Sequence, residues 1–293
     1  MKLKWVRLNS RFLLKRSWYF TSIIYSVIGI IAVCCSLDGV FSVGTPIWCK
    51  LLFGILIFLT IYILTFLVTS YWYYKHDSIC VIEKGNGKKV FVQYGDFIKE
   101  IKDCKERKNF IIPANRCFDT IVDDRIISAN TIHGQFLKYL YSINSFAPHS
   151  LSSQIERALQ GMDRTELSRN EKPDGNLLRY PVGTVVDIGS HNNSHYFMLG
   201  FTTFDSNLTA HASKEEFVLV IQKLIEFCNC HSQGYPVVLP LIGSGLSRMN
   251  ISKNVALRYI VRAFEINNDI INCDFHIIVW DKDKDNTIIT NLK

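Results

Sequence analysis

Two long stretches without a charged residue lie near the start of the chain. They cover residues 18–37 and 51–74, which are 20 and 24 residues long. A helix rises about 1.5 Å per residue and needs roughly 20 apolar residues to cross a hydrocarbon core about 30 Å thick, so each stretch is predicted to span a membrane. Tryptophan and tyrosine residues at their outer ends are typical of the membrane–water interface. The connection, residues 38–50, is short and contains glycine and proline, which favours a hairpin turn.

The charges that flank these stretches predict an orientation. Residues 1–17 carry six basic residues and no acidic one, whereas the connection carries only Lys50 against Asp38. A cleaved signal peptide is the alternative, but the first apolar stretch is longer than usual and no small-residue cleavage site follows it. We therefore expect a basic cytoplasmic leader (1–17), a two-helix transmembrane hairpin (18–74) in the inner cell membrane, and a cytoplasmic domain (75–293).

Beyond residue 78, short apolar runs alternate with segments of helical periodicity. Strands are predicted at residues 80–82, 90–94, 110–112, 182–188, 196–203, 237–241 and 275–280. Helices are predicted at residues 97–104, 128–143 and 214–228, and from Ser252 through Phe264. This alternation predicts the α/β class, a three-layer α/β/α sandwich with a mixed sheet. Residues 163–176 are dense in charge and are expected to form a surface loop.

The charge balance argues against a nucleic-acid partner. The formal net charge is +7, of which the leader supplies +6, and Lys50 offsets Asp38, so about +1 remains for residues 75–293. A nucleic-acid-binding domain usually presents a concentrated basic face.

The nine cysteines are expected to be thiols, because most of them would face a reducing cytosol. Cys228, Cys230 and His231 have the residue types of a metal site but lack a second pair of ligands, so a structural role is favoured and no metal is expected.

An anion site is predicted where the apolar strand at 237–241 meets Gly243 and Gly245. Glycines allow a sharp turn and a close approach to a ligand, and the N-terminus of the next helix favours negative charge. No lysine follows the second glycine, and Arg248 replaces the third glycine of a dinucleotide-binding fingerprint, so neither common phosphate loop fits. An ordinary tight turn between strand and helix remains the alternative.

Residues 240–246, read as Pro-Leu-Ile-Gly-Ser-Gly-Leu, resemble the pyrophosphate loop of the macrodomain family. The resemblance covers most of residues 80–281. It implies that Asp96, which follows Gly95 at the end of a strand, reads the adenine amine, although a helix N-cap is the alternative role. It also implies that Asn115 contacts the distal ribose. The first asparagine of the family's Asn-Ala-Ala-Asn run is absent here.

The chain departs from hydrolytic macrodomains at residues 128–135, where those enzymes carry a glycine-rich run. Bulky polar side chains stand here instead and would hydrogen-bond an extra group attached to ADP-ribose. A plain helix start, with Ser128 as the cap and His133 packed inside, is the alternative. The predicted ligand-binding residues are Asp96, Asn115, Ser128, Asn130, His133, Gly134, Gln135, Leu241, Ile242, Gly243, Ser244, Gly245, Leu246, Ser247 and Arg248.

A membrane hairpin followed by a diverged macrodomain resembles the membrane-bound effectors of Thoeris antiphage systems. The resemblance implies that a Toll/interleukin-1 receptor (TIR) enzyme makes a signal from NAD, that this signal is histidine-linked ADP-ribose, and that its binding damages the membrane in abortive infection. We therefore expect a non-enzymatic sensor that needs no cofactor and assembles into homo-oligomers on activation. Two alternatives are a membrane-anchored ADP-ribosyl hydrolase, with His133, Asp123 or Asp124 as the base, and a reader of ADP-ribosylated proteins.

Overall fold

The computed structural model describes residues 3–34, 45–143, 147–243, 248–290 and 292. Contacts between residues divide the chain into two compact units, a helical one up to Asp77 and an α/β one from Ser78 to Leu292. The corresponding boundary predicted from the sequence lies after residue 74.

The helical unit contains α1 (Leu3–Leu8), α2 (Ser10–Cys34) and α3 (Ile47–Lys75). A stripe with four-residue spacing is buried along α1 and α2, because residues four apart share one face of a helix; it consists of Trp5, Asn9, Leu13, Ser17 and Thr21. Two polar contacts join α2 to α3: the hydroxyls of Thr21 and Thr65 lie 2.6 Å apart, and Tyr25 donates to the carbonyl of Gly54 at 3.2 Å.

One of the two predicted membrane spans has a counterpart among the described helices. Helix α3 is long and apolar enough to cross a bilayer, and an 18-residue stretch of it has a mean hydropathy of 2.8. Within the described residues no second helix meets this test, so the two-span hairpin is not confirmed. Helix α2 begins at Ser10 and carries basic residues in its first two turns, and residues 35–37 of the predicted first span lie outside the described residues.

The α/β unit is built on an eight-stranded sheet, whose mixed strand directions agree with the prediction from the sequence. Its strands are β1 (Ser78–Glu83), β2 (Lys89–Gly95), β3 (Lys108–Asn115), β6 (Val185–His191), β7 (Ser194–Phe204), β8 (Ala210–His211), β9 (Val237–Pro240) and β10 (Phe275–Trp280). The order is β1-β2-β10-β9-β3-β7-β6, and β8 pairs with β7. The five central strands run parallel, whereas β1, β6 and β8 pair antiparallel to their neighbours.

Helices cover both faces of the sheet. Helices α4 (Phe97–Lys102), α5 (Ile132–Ser142) and α6 (Pro148–Ala158) bury apolar side chains in one core, and α7 (Lys214–His231) and α8 (Lys253–Ile266) do so in the other. This confirms the three-layer sandwich. A small hairpin, β4 (Thr165–Glu166) and β5 (Leu178–Arg179), lies outside the main sheet.

Two local predictions were wrong. The helix predicted from residue 128 begins at Ile132, and its cap is Thr131, whose hydroxyl accepts from the backbone N–H of Gly134. The charged segment 163–176 is not simply a surface loop. Lys172 is fully buried and forms a 2.7 Å ion pair with Asp119, because the segment folds back onto the turn that follows β3.

Candidate ligand-binding site

The carboxyl ends of the parallel strands meet at one edge of the sheet, which we call the carboxyl edge. Trp280 at the end of β10 is paired with Gly95 at the end of β2. Leu241, just after β9, donates its N–H to the carbonyl of Ile278 at 2.8 Å. Because ligands of open α/β sheets bind outside the carboxyl ends of the strands, the residues that follow these strands form the candidate site.

Asp96 lies directly after β2 and caps α4. Its Oδ1 accepts from the N–H groups of Ile98 and Lys99, at 2.9 and 3.1 Å. The capping alternative is therefore observed. Both bonds use the same oxygen and the side chain is exposed, so Oδ2 is available to a donor on a ligand.

Trp280 is a site candidate that the sequence reasoning missed. Its indole is half exposed at the carboxyl edge, beside Gly95, and the ammonium of Lys282 lies 4.8 Å from its ring centroid. A large exposed aromatic at the end of a buried strand is the signal that would have identified it. Such a ring offers a flat apolar face to a planar ligand.

The glycine loop after β9 begins in a backbone conformation that residues with a side chain rarely adopt. Gly243 has a φ of +91°, and a Cβ placed there would lie 2.7 Å from Cε2 of Phe217 and 2.8 Å from Cε of Met249. A side chain is therefore excluded both by the backbone conformation and by space. Leu241 is half-buried and Ile242 is buried, while the predicted loop residues Ser244, Gly245, Leu246 and Ser247 lie outside the described residues. Arg248 is exposed, with a φ of +51°.

Asn115 ends β3 with an unused hydrogen-bond donor. Its Oδ1 accepts from the N–H of Cys117 at 3.0 Å, which fixes the orientation of the amide. Its Nδ2 is buried and has no partner in the described part of the chain. A buried donor without a partner costs about 1–3 kcal/mol, and an acceptor on a ligand would remove that cost.

The position of Asn115 depends on an irregularity between β3 and β7. Ala114 is paired with Gly200, but Asn115 is paired with Thr202, so Phe201 is an extra residue on β7. This bulge lets the carbonyl of Thr202 accept from the N–H of Arg116 at 2.7 Å, which fixes the backbone directly after Asn115.

His133 is a second buried polar side chain with an unused atom. It is 7% exposed, and its Nε2 has no partner among the described residues. Burial lowers the pKa of this imidazole to about 4, so the ring is neutral at pH 7. Its neighbour Gly134 is required by packing, because a Cβ there would lie 2.2 Å from the carbonyl oxygen of Ser128.

The other polar residues of this loop bond mainly within it. Ser128 accepts from the N–H of Asn130 at 3.3 Å, and the side-chain amide of Gln135 donates to the carbonyl of Asn130 at 3.0 Å. Ser128, Asn130 and Gln135 thus shape the start of α5. Their role toward a ligand stays a prediction.

A cavity of about 140 Å³ lies at the opposite edge of the sheet. Its lining includes Arg107, Asp187, His195 and Gln233. These groups pair with each other: Arg107 donates to Gln233 at 2.9 Å, and His195 lies 2.9 Å from Asp187. Of the predicted ligand-binding residues that the structure describes, none lines this cavity, and its polar groups already pair with each other, so it is a weaker candidate than the carboxyl edge.

The cysteine–histidine segment near the end of α7 is part of the packing. Cys228 is buried, and burial raises its pKa well above the ordinary value. The ring of His231 stacks on Phe227 with centroids 4.2 Å apart. Within the described residues there is no cluster of three or more His, Cys, Asp or Glu side chains that would hold a metal.

Comparisons with known proteins give one family for this fold and site. The family model "Thoeris protein ThsA, Macro domain" matches residues 90–279. The Thoeris protein ThsA of Bacillus amyloliquefaciens (strain Y2) is 26% identical over 188 residues, which are 62% of this chain and 58% of that protein.

Similar solved structures include the Oceanobacillus iheyensis macrodomain with ADP, at 12% identity and a TM-score of 0.39, covering 71% of this chain and 90% of that one. A mutant of the same macrodomain with ADPR has 13% identity and a TM-score of 0.38, covering 71% and 92%. The family match covers well over half of the chain and includes the strands that form the carboxyl edge. The chain therefore belongs to the family of Thoeris ThsA macro domains.

Proposed function

We propose that the α/β unit binds an ADP-ribose-type nucleotide along the carboxyl edge of its sheet. Asp96 and Trp280 would hold the adenine, the loop that begins at Gly243 would hold the pyrophosphate, and Asn115 would hold the distal ribose. The observation that carries the proposal is a pair of buried polar atoms, Nδ2 of Asn115 and Nε2 of His133, which have no partner among the residues that the structure describes. Such atoms are costly in an empty site and are satisfied when a polar ligand is bound.

We further propose that the nucleotide is a defence signal made from NAD by a TIR-domain enzyme, with histidine-linked ADP-ribose as the candidate. Membership of the ThsA family supports a place in Thoeris defence. The polar loop at residues 128–135 supports a ligand larger than ADP-ribose, because it brings side chains where a glycine-rich run would leave bare backbone.

The site favours a sensor over a hydrolase. Of the three candidate bases, His133 is a weak base because burial lowers its pKa to about 4. Asp123 accepts from the N–H groups of Arg125 and Ile126, which hold its pKa below the ordinary value. Asp124 accepts from the N–H of Ala129 at 2.7 Å. All three are thus occupied in the loop or weakened as proton acceptors.

Calorimetry on the full chain in detergent, with ADP-ribose and with histidine-linked ADP-ribose, tests both proposals. Wild type should bind, and the recovered nucleotide should be intact. Gly243→Val should abolish binding, because a branched side chain cannot fit beside Phe217. Gly85→Val is the matched control, because a Cβ at Gly85 meets nothing within 4 Å. Unchanged affinity in a folded Gly243→Val protein would remove the site, and stoichiometric release of ADP-ribose would favour the hydrolase.

We propose membrane disruption as the output, through assembly of several chains whose two predicted spans form hairpins in the inner membrane. Helix α3 supports one span, and only His76 and Asp77 separate its last residue from β1, so the connection has little slack. Dye-loaded vesicles that contain the full chain should leak when the nucleotide is added and should stay sealed with Gly243→Val. Equal leakage in both would leave only a membrane-anchored binding protein.

A further inference from the structure

The segment from Lys172 to Tyr180 is fixed beside the turn that follows Asn115. The buried pair of Lys172 and Asp119 has side-chain exposures of 0% and 2%. Asn176 donates its side-chain amide to the carbonyl of Cys117 at 3.1 Å. Tyr180 donates its N–H to the carbonyl of Arg116 at 3.0 Å. Strand β5, which ends at Arg179, is therefore held at the carboxyl edge next to the proposed ribose site.

Arg179 in this segment and Arg116 in the turn after β3 lie close together but differ in their hydrogen-bond partners. Arg116 donates to the carbonyl of Tyr180 at 2.7 Å and to Glu216 at 2.8 Å. In contrast, Nε of Arg179 is buried and has no partner in the described part of the chain. A buried N–H of a charged guanidinium that lacks an acceptor costs more free energy than a buried N–H of a neutral group that lacks one.

The positive charge of Arg179 interacts with groups in the turn that follows Asn115. Burial raises the pKa of the Cys117 thiol to about 11, and the charges of Lys172, Arg179 and Arg116 oppose that rise. The pKa of Glu171 is lowered by hydrogen bonds from Ser168 and, to a smaller extent, by the charge of Arg179. Glu171 is exposed, and its Oε2 already accepts from the N–H and the hydroxyl of Ser168. Asp119 is neutralised by Lys172. The positive charge of Arg179 therefore lies beside the turn that follows Asn115, and the carboxylate it interacts with there, Glu171, is exposed.

The unpartnered atoms of this region define a chemical class of ligand group. Nδ2 of Asn115 and Nε of Arg179 are donors, and Nε2 of the neutral His133 is either a donor or an acceptor. A set dominated by donors, one of them charged, fits an anionic acceptor. A guanidinium matches the planar geometry of a carboxylate with two parallel hydrogen bonds.

We propose that Arg179 is a specificity-determining residue that binds a carboxylate carried by the group attached to the distal ribose. This inference rests on the proposed nucleotide binding at the same edge, and it adds the feature that separates the signal from ADP-ribose itself.

The test compares three probes by calorimetry on the full chain in detergent: ADP-ribose, ADP-ribose linked to histidine, and ADP-ribose linked to histamine, which lacks the carboxylate. Wild type should bind the histidine form at least tenfold more tightly than the histamine form. Arg179→Gln should bind both conjugates with the affinity that wild type has for the histamine form. Arg179→Lys keeps the charge without the planar fork and should retain part of the preference, and it replaces Arg179→Gln if that variant does not fold.

Arg125→Gln is the matched control, because Arg125 is an exposed arginine of the neighbouring turn that pairs with Asp174. It should leave the preference unchanged. Equal affinity of wild type for the two conjugates, or the same loss for both conjugates in Arg179→Gln, would overturn the inference while nucleotide binding stands. Failure of wild type to bind any of the three probes would overturn the proposed function and this inference with it.

Discussion

Replacing Lys172 by methionine tests the energetic role of the buried ion pair. Methionine has similar length but no charge, so Asp119 would remain buried with its Oδ2 unpaired. Removing one partner of a buried pair costs about 3–5 kcal/mol. The N–H of Asn176 still donates to Oδ1 of Asp119 at 2.6 Å, which favours the lower end of this range. In a domain of this size 1 kcal/mol shifts the melting temperature by about 2–4 °C, so we expect a loss of roughly 6–20 °C.

The measurement is thermal unfolding of the full chain in detergent, followed by circular dichroism. The loss should be smaller at pH 5 than at pH 8. Burial raises the folded pKa of Asp119 above its ordinary value even beside Lys172, and removing Lys172 raises this pKa further. The stability of the variant therefore falls more steeply than that of wild type as pH rises past the unfolded pKa of about 3.9. Lys138→Met, at an exposed position on α5, should be close to wild type. Adding Asp119→Asn to Lys172→Met should recover part of the stability. A melting temperature of Lys172→Met within 2 °C of wild type would refute the reasoning.

Two further predictions concern single side chains of the site. Because burial lowers the pKa of His133 to about 4, the unfolded chain binds the proton more tightly, and the free energy of unfolding should fall as pH drops from about 6.5 towards 4. His133→Gln should flatten that part of a plot of stability against pH. An unchanged plot would contradict the burial of a neutral His133. Trp280→Ala should weaken ADP-ribose binding about 5- to 150-fold in calorimetry, since stacking on a base contributes about 1–3 kcal/mol. Trp280→Phe keeps an aromatic ring and should bind with nearly the affinity of wild type. Equal affinities in all three proteins would show that the ring does not stack on the adenine.

The periodicity of the sequence was sufficient to predict seven of the eight strands of the sheet. Buried strands such as β9, with four consecutive buried residues, produce short apolar runs that are visible without any structure. The predicted strands are followed by Asp96, Asn115 and Gly243. Because the carboxyl ends of parallel strands lie at the same edge of a sheet, the edge that carries the candidate site was predictable too. A positive φ at Gly243 is what a glycine after such a strand indicates.

Long-range contacts were not predictable from these patterns. Lys172 lies in a segment dense in charge, where composition indicates exposure, and its partner Asp119 is 53 residues away in the chain. Arg179 gave no signal for the same reason. The start of α5 was misplaced because Ser128 and Thr131 are both good caps, and the choice between them depends on the close approach of Gly134 to Ser128.

The extra residue Phe201 on β7 has a consequence for how this family can vary in length. The part of β7 that follows the bulge stays in register with β3 only if the extra residue is kept. Removing one residue shifts that part of β7 by one position, which turns each of its side chains to the other face of the sheet. Deleting one residue of β7 between Gly200 and Thr202 would therefore turn Thr202 and the residues after it to the other face. It would also displace the carbonyl of Thr202 that accepts from the N–H of Arg116 at 2.7 Å, directly after Asn115, although β7 itself supplies none of the proposed ligand contacts. Homologues that bind the same nucleotide should tolerate insertions in the exposed turns but keep the spacing from Gly200 to Thr202, so strand length here is inherited together with the asparagine.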